Sequence, residues 1–274
     1  MTDTERPARK KAEGPAIILG FWRQAIAGWL RADSSWTLMA ALVVGVVLAV
    51  TNPAFATVTN LTNVLLQSCV VAFMALGQTF VLVGGGIDLS LAGVLALSGV
   101  LGADTLVHTE SIFLGVLVMV AVGLAFGAFN GIAVSRVKMT PFIVTLSTLV
   151  LTTGIAAMYT KGVTIGPVMR GFRQMGSASG FVIPIPVLMV AVTAVLAYLL
   201  LQRTAYGRML YATGTNALAA RSSGIPTDKI IFSTYLIGGF AAAMAGITLV
   251  ARLGTGSSGM GGDILILDAI SAVI

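Results

Sequence analysis

The sequence predicts an all-α, polytopic membrane bundle, and three observations carry that expectation. Apolar residues make up 57% of the 274-residue chain and charged residues only 9%, with a mean hydropathy of +0.98; soluble domains carry roughly a quarter charged residues. Apolar runs of about twenty residues recur along the chain, the length of helix that crosses a ~30 Å hydrocarbon core at ~1.5 Å per residue. Hydrocarbon leaves no backbone amide unpaired without penalty, so these runs are expected to be helical.

Residues 1–14 (MTDTERPARKKAEG) hold too few apolar side chains to fold, and a disordered basic tail is expected. Over 15–35, Ile18, Trp22, Ala25 and Trp29 recur at spacings of three and four beside Arg23 and Arg31. That is the pattern of an amphipathic helix lying in the headgroup layer, the alternative being an extension of the first span.

The membrane domain is expected over 36–274, with about seven complete spans. The first, Trp36 to Thr51, stops at Asn52-Pro53 because proline cannot continue a helix. The small-residue pattern Ala54 to Ala56 follows too long a stretch for a signal peptide, so an uncleaved anchor is expected. Further spans are predicted at Val64 to Val83, Leu89 to Val107, Ile112 to Val134, Phe142 to Tyr159, Pro186 to Leu201 and Ile230 to Ala251. A last apolar run opens at Ile264 and reaches only Ile274. A stretch that short cannot cross a bilayer, so this span is expected to be truncated or to rest against another element.

The formal charge of +6 and pI near 9.8 reflect basic residues flanking the runs, which indicates positive-inside topology and no nucleic-acid partner. With the N-terminus inside, Arg23, Arg31, Arg136, Lys138, Arg203, Arg208, Arg221 and Lys229 are inner, against Lys161, Arg170, Arg173 and Arg252 outer. That assignment makes 202–229 the one large inner loop. Cys69 is the only cysteine and His108 the only histidine, so neither an internal disulfide nor a His/Cys metal site is expected.

Gly123, Gly127 and Gly131 repeat at every fourth position, as do Gly238, Ala242 and Gly246. Such faces let helix backbones approach closely. Residues Gly254 to Gly259 (GTGSSG) match a dinucleotide fingerprint, but they follow a span and no βαβ unit follows them. No P-loop lysine motif, nucleophile elbow or H-E-x-x-H occurs, and Asp263 and Asp268 read as one loop and one span residue. Enzymatic chemistry is therefore not expected, and any ATP must be hydrolysed by another polypeptide.

Two interruptions stand out. Gly84, Gly85 and Gly86 end the second span, and Asp88 and Ser90 are placed to cap the next helix. Apolar residues resume at Leu89 without a solvated linker. The break is thus either a tight inner turn or a broken, re-entrant segment lining a path, the only places where irregular backbone is tolerated at membrane depth. In the inner loop, Gly214 and Gly224 bracket the helix-prone run Asn216 to Ser222, with Asn216 as cap and Pro226 as stop. A short exposed helix fixed between turns is a docking element.

At these residues the sequence resembles the permease subunits of ribose-type ABC sugar importers. The resemblance is carried by GQTFVLVGGGIDLSLAGVLALSGV, NGIAVSRVKMTPFIVTLSTLVLTTGIA, the block from Arg203 to Gly254, and LDAISAVI. It implies a multi-pass permease of the bacterial inner membrane, with a cytoplasmic N-terminus. The implied partners are a second permease copy (homodimer or heterodimer), cytoplasmic ABC ATPase subunits and a periplasmic sugar-binding protein. No cofactor is implied in this chain, ATP and Mg²⁺ acting through the ATPase. Gly214, Asn216, Ala219, Ala220, Arg221, Gly224 and Ile225 match the family's ATPase-coupling segment, although Leu218 stands where an acid is usual. The family's chains also continue beyond a segment like that ending at Ile274.

The expected function is monosaccharide import, of a pentose or hexose, by alternating access. Gly84, Gly85, Gly86, Asp88, Ser90, Asn130 and Thr145 are the expected path residues, since sugar hydroxyls need neutral groups that exchange readily for water. The alternatives are a permease for branched-chain amino acids or nucleosides, an ATPase-independent carrier or channel using Asp88 and Asp268 as intramembrane acids, and a truncated scaffold.

Overall fold

The computed structural model describes residues 33–177 and 184–274. The expected tail (1–14) and the interfacial helix, except its last three residues, lie outside the described residues. The chain divides into two compact units, 1–61 and 62–274.

In the first unit, α1 (Asp33–Thr51) is apolar from Trp36 onward. Asn52 and Pro53 end it as the sequence requires, the Asn52 side chain accepting a hydrogen bond from the Ala54 amide at 3.0 Å.

Helix α2 runs Val58–Val83, followed by α3 (Leu91–Thr109), α4 (Ile112–Ser135) and α5 (Pro141–Thr160). A short α6 (Arg170–Met175) precedes α7 (Ile185–Arg203), α8 (Ala205–Thr215) and α9 (Ala217–Ser222). Then come α10 (Thr227–Leu253), a 3₁₀ turn (Ser258–Gly261) and α11 (Asp263–Val273). Among the described residues, six helices are long and apolar enough to cross a membrane (α2, α3, α4, α5, α7 and α10), and Trp36–Thr51 is a shorter apolar stretch.

Helix α3 is the axle of the second unit: most of its residues are buried, whereas the peripheral α7 is almost wholly uncovered. Phe73 and Met74 of α2, Leu95 of α3, Met119 of α4 and Val250 of α10 share one core.

The small-residue faces explain the closest packing. A methyl group on Gly123 would lie 2.3 Å from the Gly239 carbonyl oxygen, and one on Gly127 would lie 2.6 Å from that of Tyr235. The α4 stripe therefore seats backbone against backbone on α10. The α10 stripe turns to other neighbours, Gly238 meeting Leu91 and Asp88, and Gly246 meeting Ser98.

One expectation is corrected. Asp263 is the first residue of α11 and lies on the same helix as Asp268, because α11 begins directly after Gly262. The GTGSSG segment closes α10 at Gly254 and pairs Gly256 with Ile165 through two 2.8 Å backbone hydrogen bonds.

Candidate functional site

The glycine run that ends α2 is a Schellman motif. The Gly86 amide donates to the Val81 carbonyl and the Gly85 amide to that of Leu82, both at 2.9 Å, with Gly85 at φ +84°. That left-handed position favours glycine, and the two bonds satisfy carbonyls that the helix end would orphan. Gly86 has a second constraint, since a methyl group there would lie 2.6 Å from the Tyr235 hydroxyl.

The break packs against the interior of α10. The Asp88 carboxylate comes within 3.5 Å of where a methyl group on Gly238 would sit, eleven residues into α10 from Thr227. At ~1.5 Å per residue that is about 16 Å from the helix start.

A buried network holds the break. Thr148 donates to Asn130 Oδ1 at 2.6 Å, and Asn130 Nδ2 donates to Ser90 Oγ at 2.8 Å. The Ser90 hydroxyl and amide both donate to Asp88 Oδ1, at 2.6 and 2.8 Å. Asp88, Ser90, Asn130, Thr145 and Thr148 are all 1% exposed or less. The chain of bonds crosses from α5 through α4 to the break, so three elements are pinned where a carboxylate without partners is costly.

This corrects the capping expectation. Ser90 occupies the N-cap of α3 but makes no side-chain cap bond, because its hydroxyl donates to Asp88 while accepting from Asn130. Asp88 in turn takes the Ser90 amide and no amide inside the helix.

The expected path residues separate into two sets. Gly85 is exposed at the edge of the break, between the half-buried Gly84 and Gly86 and beside Ile87, which was not among the expected residues and is 40% exposed. Asp88, Ser90 and Asn130 lie behind that edge. Thr145 turns mainly to its own helix, its hydroxyl donating to Pro141 O at 2.9 Å and reaching Ile87 O at 3.5 Å. Among the described residues, the buried side-chain atoms without a hydrogen-bond partner include the Tyr235 hydroxyl and both amide atoms of Gln78.

The segment from Gly214 to Ile225 comes together as one turn structure. Asn216 caps α9 by accepting from the Ala219 amide at 3.0 Å. A second Schellman motif ends α9, with Ile225 N donating to Ala220 O and Gly224 N to Arg221 O, both at 3.0 Å, and Gly224 at φ +84°. Ala220 is buried beneath the helix, while Leu218 is 81% exposed at its tip.

Three ties hold this segment to the spans. Asp228 Oδ1 accepts from both Lys138 and Arg221, joining the α4–α5 turn, α9 and the start of α10. Tyr206 bonds Ser233 at 2.8 Å, and burial pushes its phenol above the ordinary range against the opposing pull of that bond. The closest tie is Gly214, where a methyl group would lie 1.8 Å from the Val83 carbonyl oxygen and 3.3 Å from the Gly84 carbonyl carbon. The loop therefore rests directly on the glycine break.

Sequence reasoning missed α8, Thr148, Tyr206, Asp228 and Tyr235. The spacing of Tyr206, Met209, Leu210 and Thr213 carries the helical period of α8, and Thr204 caps it by accepting from the Gly207 amide at 3.3 Å.

The family described as branched-chain amino acid transport system / permease component matches residues 60–274. The ribose import permease protein of Escherichia coli strain K12 is 36% identical over 255 residues, covering 90% of this chain and 77% of that protein. The chain belongs to the family of ribose-type ABC importer permeases. This permease is also 33% identical over 231 residues to the Bacillus subtilis strain 168 ribose import permease protein, covering 84% of this chain and 71% of that one. The galactofuranose transporter permease protein of Escherichia coli strain K12 is 35% identical over 212 residues, covering 77% and 62%. No solved structure matches the permease. The chain is thus a multi-pass membrane transport subunit.

Proposed function

We propose that this permease carries a monosaccharide, a ribose-type pentose or a hexose, inward across the bacterial inner membrane by alternating access. The reading is supported by relatives whose names specify ribose and galactofuranose. The observation that carries the mechanism is the seating of Gly214 on Val83 and Gly84.

Two copies, identical or related, enclose the path, and the route-facing edge of each is the break at Gly84, Gly85, Gly86 and Ile87. Backbone groups there exchange hydrogen bonds with sugar hydroxyls as water does. Asp88, Ser90, Asn130 and Thr145, with Thr148, hold that edge from behind. The ATPase-coupling segment is Gly214, Asn216, Ala219, Ala220, Arg221, Gly224 and Ile225, seated in a cytoplasmic ATPase that binds ATP and Mg²⁺. A periplasmic sugar-binding protein delivers the substrate to the opposite face, and the N-terminus is cytoplasmic. Closure of the ATPase pushes α9, and the push reaches the break through Gly214 and the Asp228 ion pairs.

The test is reconstitution of the permease with its ATPase and binding protein in liposomes. ATP-dependent uptake of a labelled pentose or hexose, undiminished by excess branched-chain amino acid, is the expected result. Uptake of the amino acid instead, or sugar uptake driven by a proton gradient without ATPase, contradicts it.

A further inference from the structure

At the face of the bundle where α4 ends and α10 begins, an open cleft of about 880 Å³ is lined by Ile132, Arg136, Arg221, Asp228, Lys229 and Phe232, among others. Its only carboxylate, that of Asp228, is already shared by Lys138 and Arg221. Arg136 and Lys229 are exposed and have no ion-pair partner among the described residues. The cleft therefore presents a surplus of positive charge at the end of two membrane helices.

Its other wall is apolar and leads out of the cleft along α4. Ala125, Phe129, Ile132 and Arg136 follow one another at spacings of four, three and four, so they share one helix face. All four are exposed, Phe129 at 55% and Ile132 at 47%. An acyl chain laid along this stripe brings its headgroup to Arg136. A soluble anion would use the cations and leave the stripe unused.

We propose that this cleft binds the headgroup of an anionic phospholipid, its phosphate between Arg136 and Lys229 and an acyl chain along Ile132 and Phe129. Basic pockets between membrane helices take anionic headgroups on charge grounds, and the stripe selects a lipid over free phosphate.

Native mass spectrometry of the purified full-length permease, titrated with phosphatidylglycerol, phosphatidylcholine or inorganic phosphate, tests this. Phosphatidylglycerol is expected to bind in preference to phosphatidylcholine, and excess inorganic phosphate should not displace it. The R136Q/K229Q variant should bind phosphatidylglycerol about 30-fold more weakly, since each basic residue near an anionic surface contributes about a fivefold step and the two multiply. The R136K/K229R variant should keep the preference. Equal binding of the two lipids, unchanged affinity in R136Q/K229Q, or displacement by inorganic phosphate overturns the proposal. So does crosslinking of a cysteine at position 136 to the ATPase in the assembled transporter with no lipid retained.

Discussion

Gly214 of α8 lies against Val83 at the end of α2, so closely that a methyl group added to Gly214 would fall 1.8 Å from the Val83 carbonyl oxygen. The contact joins the loop that carries α9 to the glycine break that ends α2. Backbone touches backbone here, so no side chain can flex to absorb a displacement of either element.

Gly214→Ala should therefore separate the loop from the break. Overpacking of this kind costs about 1–3 kcal/mol, and the strained contact is expected to lower the thermal midpoint of the purified permease. ATP-driven uptake should fall further than stability does, while the ATPase still co-purifies. Unchanged uptake at unchanged stability would show that the contact is dispensable.

Gly127→Leu should be among the most damaging single changes in the bundle, because the α4–α10 seam has no room beside the Tyr235 carbonyl. Gly154→Ala is the matched control, since nothing lies within 4 Å of a methyl group there. That control should be neutral or raise stability by up to about 1 kcal/mol through helix propensity. Thermal unfolding of the two variants in one detergent gives the comparison.

Asn130→Leu leaves the buried Thr148 hydroxyl without its 2.6 Å acceptor and removes the donor to Ser90. A cost of about 1–3 kcal/mol is expected for polar groups left unpaired in the interior. Thr148→Val in the same chain should recover part of that loss, because the two residues act as one unit. A double-mutant cycle by thermal unfolding should give a coupling of about 0.5–3 kcal/mol, and strict additivity would remove Thr148 from the network.

How far the sequence foretold this architecture depended on the range of the interaction. Spans were legible because hydrocarbon demands about twenty apolar helical residues wherever they occur. The cap at Asn216 and the glycines of both Schellman motifs were legible for the same reason, since each solves a local backbone problem within a few residues. The network was only half legible. Asp88, Ser90 and Asn130 stood out as polar residues among apolar ones, but Thr148 is one of several threonines on α5, and nothing local shows which of them faces Asn130. The capping roles of Asp88 and Ser90 were misread because a partner forty residues away claims the serine. Helix α8 was hidden by a polar composition suited to a loop.

Asp228→Asn weakens the bonds to Lys138 and Arg221 at once, yet the carboxylate is 40% exposed. Water and salt screen such pairs, so the stability cost should stay below about 1 kcal/mol. Uptake is expected to drop more than stability, since the pairs join α9 to the α4–α5 turn. Raising ionic strength should impair wild-type uptake and leave the variant little changed.

Thiol labelling of Ile87→Cys reaches the central claim most directly, because position 87 lies on the exposed edge of the break and Cys69 is buried. The reconstituted transporter would be treated with a membrane-impermeant maleimide, without nucleotide and with the ATPase trapped closed. The account predicts clearly different labelling rates in the two states, with the difference lost when residues 216–224 are replaced by a flexible Gly/Ser linker. Identical rates in both states, or a difference that survives the linker, would contradict a break that moves with the coupling segment.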